Sequence, residues 1–183
     1  MSIKTILTAT VATIALAGAV NAANPTVGGA EMLEQRNIVE NAVNSPIHTT
    51  LVAAVQAADL VETLQSAGPF TVFAPVDDAF AALPAGTVET LLMPENKALL
   101  QKVLTAHVVA GDWSSADIIA AARASRDGFY HFNAVSGDAL SAQVKGKNVY
   151  LIDESGNAAR ITVADVDQSN GVIHVIDAVL VPK

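Results

Sequence analysis

Residues 129–152, FYHFNAVSGDALSAQVKGKNVYLI, decide the fold. Three short runs, Phe129–Val135, Ala139–Val144 and Asn148–Ile152, are separated by Gly137-Asp138 and Gly146-Lys147. Aromatic and β-branched side chains suit a pleated surface, and glycine pairs at this spacing supply the turns of hairpins. Toward the C-terminus, Ala158–Val163 and Val172–Val181 continue the pattern across Ser155-Gly156-Asn157 and Asn170-Gly171. Toward the N-terminus the period becomes helical from Asn37 to about Arg123. Leu51, Val52, Val55 and Ala58 share one helical face, with Thr49 or Ser45 placed to cap its start, and Leu60, Val61 and Leu64 extend it to Gly68-Pro69. Ala79, Phe80 and Leu83 suggest one further helix, and Leu99, Leu100, Val103 and Leu104 the next. Ser114 or Ser115 can cap another from Asp117 to about Ala122. Within this half, Phe70–Ala74 reads as a single buried strand closed by Pro75. Helices gathered in one half and antiparallel strands in the other predict an α+β domain with its helices on one side.

The chain has no cysteine, which excludes a disulfide framework, a thiolate metal site, a cysteine nucleophile and lipid attachment through cysteine. Its net charge of −8 leaves no electrostatic footprint for nucleic acid or an anionic membrane surface. Hydrophobic residues at 51% support a packed core, whereas aromatics at 4% argue against sugar- or base-stacking platforms. At the start, Lys4 precedes an apolar run from Thr5 to about Val20, and small residues follow to Ala22. That is the pattern of a secretory signal peptide over residues 1–22. The run is too short and threonine-rich for a comfortable membrane span, and it lacks the polar face of a buried helix. Residues 23–36, with Pro25 and Gly28-Gly29, read as a loose N-terminal arm, and 37–183 as one domain with no further spanning stretch. The expected location is periplasmic or extracellular.

Two segments carry a resemblance. One is Thr71-Val72-Phe73-Ala74-Pro75-Val76-Asp77-Asp78-Ala79-Phe80; the other is Asn170-Gly171-Val172-Ile173-His174-Val175-Ile176-Asp177-Ala178-Val179-Leu180-Val181-Pro182. Together they resemble the two signature segments of the fasciclin-like adhesion domain family, in its single-domain secreted bacterial branch. Between them, Leu104-Thr105-Ala106-His107-Val108-Val109-Ala110-Gly111 is similar to that family's central Tyr-His segment, with Ala106 in place of the tyrosine. The resemblance implies a seven-strand β-sandwich wedge with a cluster of α-helices packed on one side. It also implies that Phe73, Pro75, Asp77, Phe80, Asn170, Gly171, His174 and Asp177 are structural signature positions. By chemistry, Asp77 or Asp78 can cap the helix after Pro75, and Asn170-Gly171 supplies a turn. On the last strand, Val172, His174, Ile176 and Ala178 share one face, and Ile173, Val175, Asp177 and Val179 the other.

The resemblance further implies adhesion through the central dipeptide, here reduced to His107, and through an Asp-Ile pair whose counterpart is Asp165-Val166. His107 and His174 lie in apolar runs, where a hydrogen-bonded core histidine is the simpler reading. No H-E-x-x-H or calcium-loop spacing is present, so no metal is expected, and the Asp165/Asp167 pair reads as a solvated acidic edge. The G-x-S-x-G elbow, the Walker loop and the G-x-G-x-x-G fingerprint are missing too, so neither enzyme activity nor a cofactor is expected. Trp113 reads equally as an exposed contact or as the lid of a small core. The function expected is a non-catalytic binding module for a cell-surface or matrix protein or polysaccharide. The alternative is an envelope protein that binds a small apolar or polysaccharide ligand between helices and sandwich.

Overall fold

In the computed structural model, residues 24–182 are described; the expected signal peptide lies outside them. The described residues begin with a small hairpin, β1 (Thr26–Val27) and β2 (Ala30–Glu31). Its turn uses Gly28 and Gly29 at positive φ, and Val27 and Met32 are buried in the core. The N-terminal arm is therefore not loose after Asn24, because two apolar side chains anchor it.

Three helices follow: α1 (Ile38–Asn44), α2 (Thr49–Ala57) and α3 (Val61–Gln65). Asn37 and Glu40 form a reciprocal capping box at the start of α1. The start of α2 has no cap from its own N-cap residue, His48. The chain then crosses as β3 (Phe70–Pro75) into α4 (Asp77–Ala81), α5 (Thr87–Leu91), a 3-10 turn at Pro94–Asn96, and α6 (Lys97–Thr105). A short β4 (Val108–Ala110) and α7 (Ser115–Ala124) complete this half.

The second half is β5 (Phe129–Asn133), β6 (Ala139–Lys145), β7 (Asn148–Ile152), β8 (Ala158–Gln168) and β9 (Gly171–Ile176). β3 to β9 form one seven-stranded sheet in the order β4-β3-β9-β8-β7-β6-β5. Among the described residues, only the β3–β9 pair of this sheet is parallel. A bridge between Val109 and Ala134 links β4 to the chain leaving β5, so the sheet nearly closes on itself. This is the expected α+β architecture, a seven-strand β wedge with a cluster of helices on one side, while α7 packs separately against β5 and β6.

β8 runs past the expected end at Val163 because its register shifts twice, between Ile161 and Val163 and between Val163 and Val166. Such bulges break the strict alternation by which a strand is recognised. β9 stops at Ile176 rather than Val181, where Asp177 turns outward to accept hydrogen bonds from the N–H of Arg160 at 2.8 Å and its Nε at 3.2 Å.

The sheet separates two cores. Val72 and Ala74 of β3 and Ile173 and Val175 of β9 face the helices. Phe73 and Ile176 face the other side, with Leu140, Ala142, Leu151 and Ile118. Both central strands are buried on both faces and read as unbroken apolar runs for that reason.

Candidate functional site

The bulge in β8 places Asp165 in the left-handed region at φ 56°, exposed beside the start of α7. Two neighbours hold it there. Its backbone N–H donates to Nδ1 of His174 at 3.2 Å, which puts that ring's proton on Nε2, and Nε2 donates to the carbonyl of Trp113 at 2.8 Å. Its carboxylate accepts from the N–H of Ser115 at 2.6 Å and from the Ser115 hydroxyl. A carboxylate at the N-terminus of a ten-residue helix is favoured by the unpaired N–H groups there, and Ser114 caps the same end by accepting from the N–H of Asp117. Burial holds the His174 pKa below its ordinary value, so the neutral tautomer this geometry requires is the stable form.

Asp165 is one of several acidic groups on this ridge. The pKa of Asp167 is raised by partial burial and then by the charges of Asp112, Asp165 and Glu34. Trp113 closes the ridge as a half-buried lid. Its N–H donates to the Thr71 hydroxyl at 2.9 Å, its indole to the carbonyl of Ala110 at 3.2 Å, and its ring lies 5.3 Å from that of Tyr130.

The other interaction candidates do not reach the surface. Val166 is fully buried in the helix-side core. His107 is also buried: its Nδ1 donates to the carbonyl of Val103 at 2.7 Å and its Nε2 accepts from the N–H of Leu180 at 2.9 Å. Burial lowers its pKa to about 4. It fastens the end of α6 to the C-terminal segment, and contact with a partner through its ring is excluded by that burial. Ala106 is buried as well.

The signature positions act as fasteners. Asp77 does not cap α4, in whose first turn it lies. Its carboxylate instead crosses to α2, accepting from the N–H of Thr49 at 3.2 Å, the Thr49 hydroxyl at 2.7 Å and the N–H of Thr50 at 2.8 Å. Partial burial works to raise its pKa, but these hydrogen bonds outweigh that and hold it below the usual carboxylate value. Asn170 does more than turn the chain. Its Oδ1 accepts from the N–H of Ile38 at 3.0 Å and its Nδ2 donates to the carbonyls of Leu64 and Ser66, so it joins α1 to α3. Gly171 is required by contact, since a Cβ there would lie 1.9 Å from the carbonyl oxygen of Phe70. Phe73, Pro75 and Phe80 are buried.

Two features escaped the sequence reading. Ser115 partners Asp165 from fifty residues away, which no local spacing reveals. An apolar cavity of about 90 Å³ lies between α1–α3 and the β3–β4 edge, lined by Val55, Leu64, Val72 and Leu104 among others. Among the described residues, no group of three or more His, Asp or Glu side chains is placed to hold a metal ion.

Comparison with known proteins gives a consistent result. A family model described as the Fasciclin domain matches residues 46–182. Protein sll1483 of Synechocystis is 53% identical over 145 residues, covering 79% of this chain and 73% of its own. Immunogenic protein MPB70 of Mycobacterium bovis is 34% identical over 167 residues, 88% of this chain and 77% of its own. Transforming growth factor-beta-induced protein ig-h3 of Sus scrofa is 37% identical over 132 residues, 72% of this chain but 17% of that longer protein. Among solved structures, the FAS1 domain pair of the insect cell adhesion molecule fasciclin I aligns with a TM-score of 0.69 at 18% identity, over 79% of this chain and 50% of the pair.

Proposed function

The chain belongs to the fasciclin domain family, and from that premise we propose that it is a non-catalytic binding module for a cell-surface or matrix partner. The family's members are often adhesion-related, which supports the general class. The observation that carries the specific reading is the ridge at the β8 bulge. Asp165 is exposed and fixed in a strained conformation by Ser115 and His174, and Asp112 and Asp167 stand near it. A rigid cluster of negative charge on a rigid scaffold favours a partner that offers basic groups, because little ordering entropy is lost on contact. The partner class is a protein or polysaccharide bearing lysine-, arginine- or amine-type cations. Residues 1–22 act as a cleaved signal, and the module works in the periplasm or outside the cell. Among the described residues no helix is long and apolar enough to cross a membrane.

The test is attachment of beads coated with the protein to the producing cells and their matrix, at low and high salt. Asp167→Asn should reduce attachment without lowering the melting temperature, Asp165→Asn should reduce it with a small loss of stability from the weakened contact to Ser115, and salt should weaken the wild-type signal. Attachment no greater than that of uncoated beads would overturn the proposal.

A further inference from the structure

We infer that the cavity between α1–α3 and the β3–β4 edge is a binding site for the hydrocarbon tail of a small, neutral amphiphile. The cavity measures about 90 Å³ and is walled mainly by aliphatic side chains, Val55, Leu64, Val72 and Leu104 among them, with Phe70 and Phe73. The polar ring in its wall, His107, has both nitrogens engaged, one with the carbonyl of Val103 and the other with the N–H of Leu180. It therefore presents nothing to anchor water or a polar ligand. A void of this character stays dry and takes apolar guests, because water needs two to four polar partners and finds none.

The rim has a different chemistry. Gln56 and Thr63 are exposed there, and Thr105 is half-buried with its hydroxyl donating to the carbonyl of Gln101. These side chains are polar and uncharged, so they match an alcohol or amide headgroup. The net charge of −8 disfavours a carboxylate. The site is separate from the acidic ridge, so it stands or falls independently of adhesion.

The experiment is a methyl-resolved NMR titration of the protein with hexan-1-ol, with hexanoate as the charged comparison. Saturable shifts are expected at Val55, Leu64, Val72 and Leu104 and not at Leu140 or Leu151 in the opposite core. Hexanoate should bind about tenfold more weakly, since its charge must be partly desolvated at the rim. Ala42, which also lines the cavity, is the point of attack. Ala42→Leu should fill the space, leave the melting temperature unchanged or raised, and abolish the shifts. If that variant does not fold, Val52→Leu makes the same test from α2. Equal shifts in both cores, no shifts up to the solubility limit of hexan-1-ol, or undiminished binding in a folded filling variant would each overturn the inference.

Discussion

The two cores on either side of the sheet are built from different materials. The strand-side core is organised by a run of rings: Phe73 stacks on Phe132 at 5.8 Å and on His174 at 5.6 Å, and Tyr130 links Phe132 at 5.4 Å to Trp113 at 5.3 Å. Around it Leu140, Ala142, Leu151 and Ile118 are almost entirely shielded from solvent. The helix-side core is mainly aliphatic, with Phe70 and Phe80 among its members, is roofed by short helices, and encloses the apolar cavity. A sheet holds its geometry from one well-filled face, which leaves the other face free to contain empty space.

The most severe way to break this comparison is to empty the filled side. Leu151→Ala should destabilise by about 4–5 kcal/mol, against about 2–3 kcal/mol for Leu64→Ala, which borders the existing cavity. Urea unfolding of the two variants decides it, and equal losses would mean that the cores are packed alike.

Next is acid. Burial lowers the His107 pKa to about 4 in the folded chain, below the ordinary histidine value of about 6.5, so the unfolded chain binds more protons between those values. Stability is therefore complete above about pH 6.5 and falls as the pH drops toward about 4, by about 2 kcal/mol at pH 5. His48 and His174 shift in the same direction and steepen the fall. Denaturant midpoints measured across this range should show the slope in the wild type and a shallower one in His107→Gln.

Smaller still is the loss of Asp77, which touches only the helix side. Asp77→Ala should cost about 1 kcal/mol by uncapping α2. Because its folded pKa is depressed, its contribution is present above the usual carboxylate range and disappears as the pH falls through the folded value. Thermal melts at neutral and strongly acidic pH should show the variant and the wild type converging in acid. Least of all is the exposed pair between Lys97 and Asp59, where Lys97→Ala should change stability by under about 0.5 kcal/mol.

The sequence was most legible where a single local rule governed. Asn148–Ile152 forms a strand over its expected length, bounded by the Gly146-Lys147 turn. The strand from Phe70 and the alternation of Ile173 and Val175 against Ile176 were also readable, because burial on both faces writes itself as an apolar run. Legibility failed where a side chain serves a distant element. Asp77 sits in one helix and caps another twenty-seven residues back, a relation set by tertiary packing. The candidate site suffered likewise. Asp165 could be named, but the bulge that buries Val166 behind it depends on the register with β9. Residues 24–32 were misjudged because two glycines look like slack until Val27 and Met32 are seen to be anchored.

One consequence of the strand order concerns time. Among the described strands β9 comes last in sequence, yet it lies between β3 and β8. Until residues 171–176 arrive, β3 has only the short β4 to pair with, and α1 and α3 lack the Asn170 side chain that joins them. The contact from Ile38 to Asn170 closes a loop of 132 residues, an expensive step that local helices cannot anticipate. The nascent domain therefore stays incompletely folded until residues 171–176 are free. A truncation before Gly171 would remove the middle of the sheet while leaving nearly all of the sequence intact.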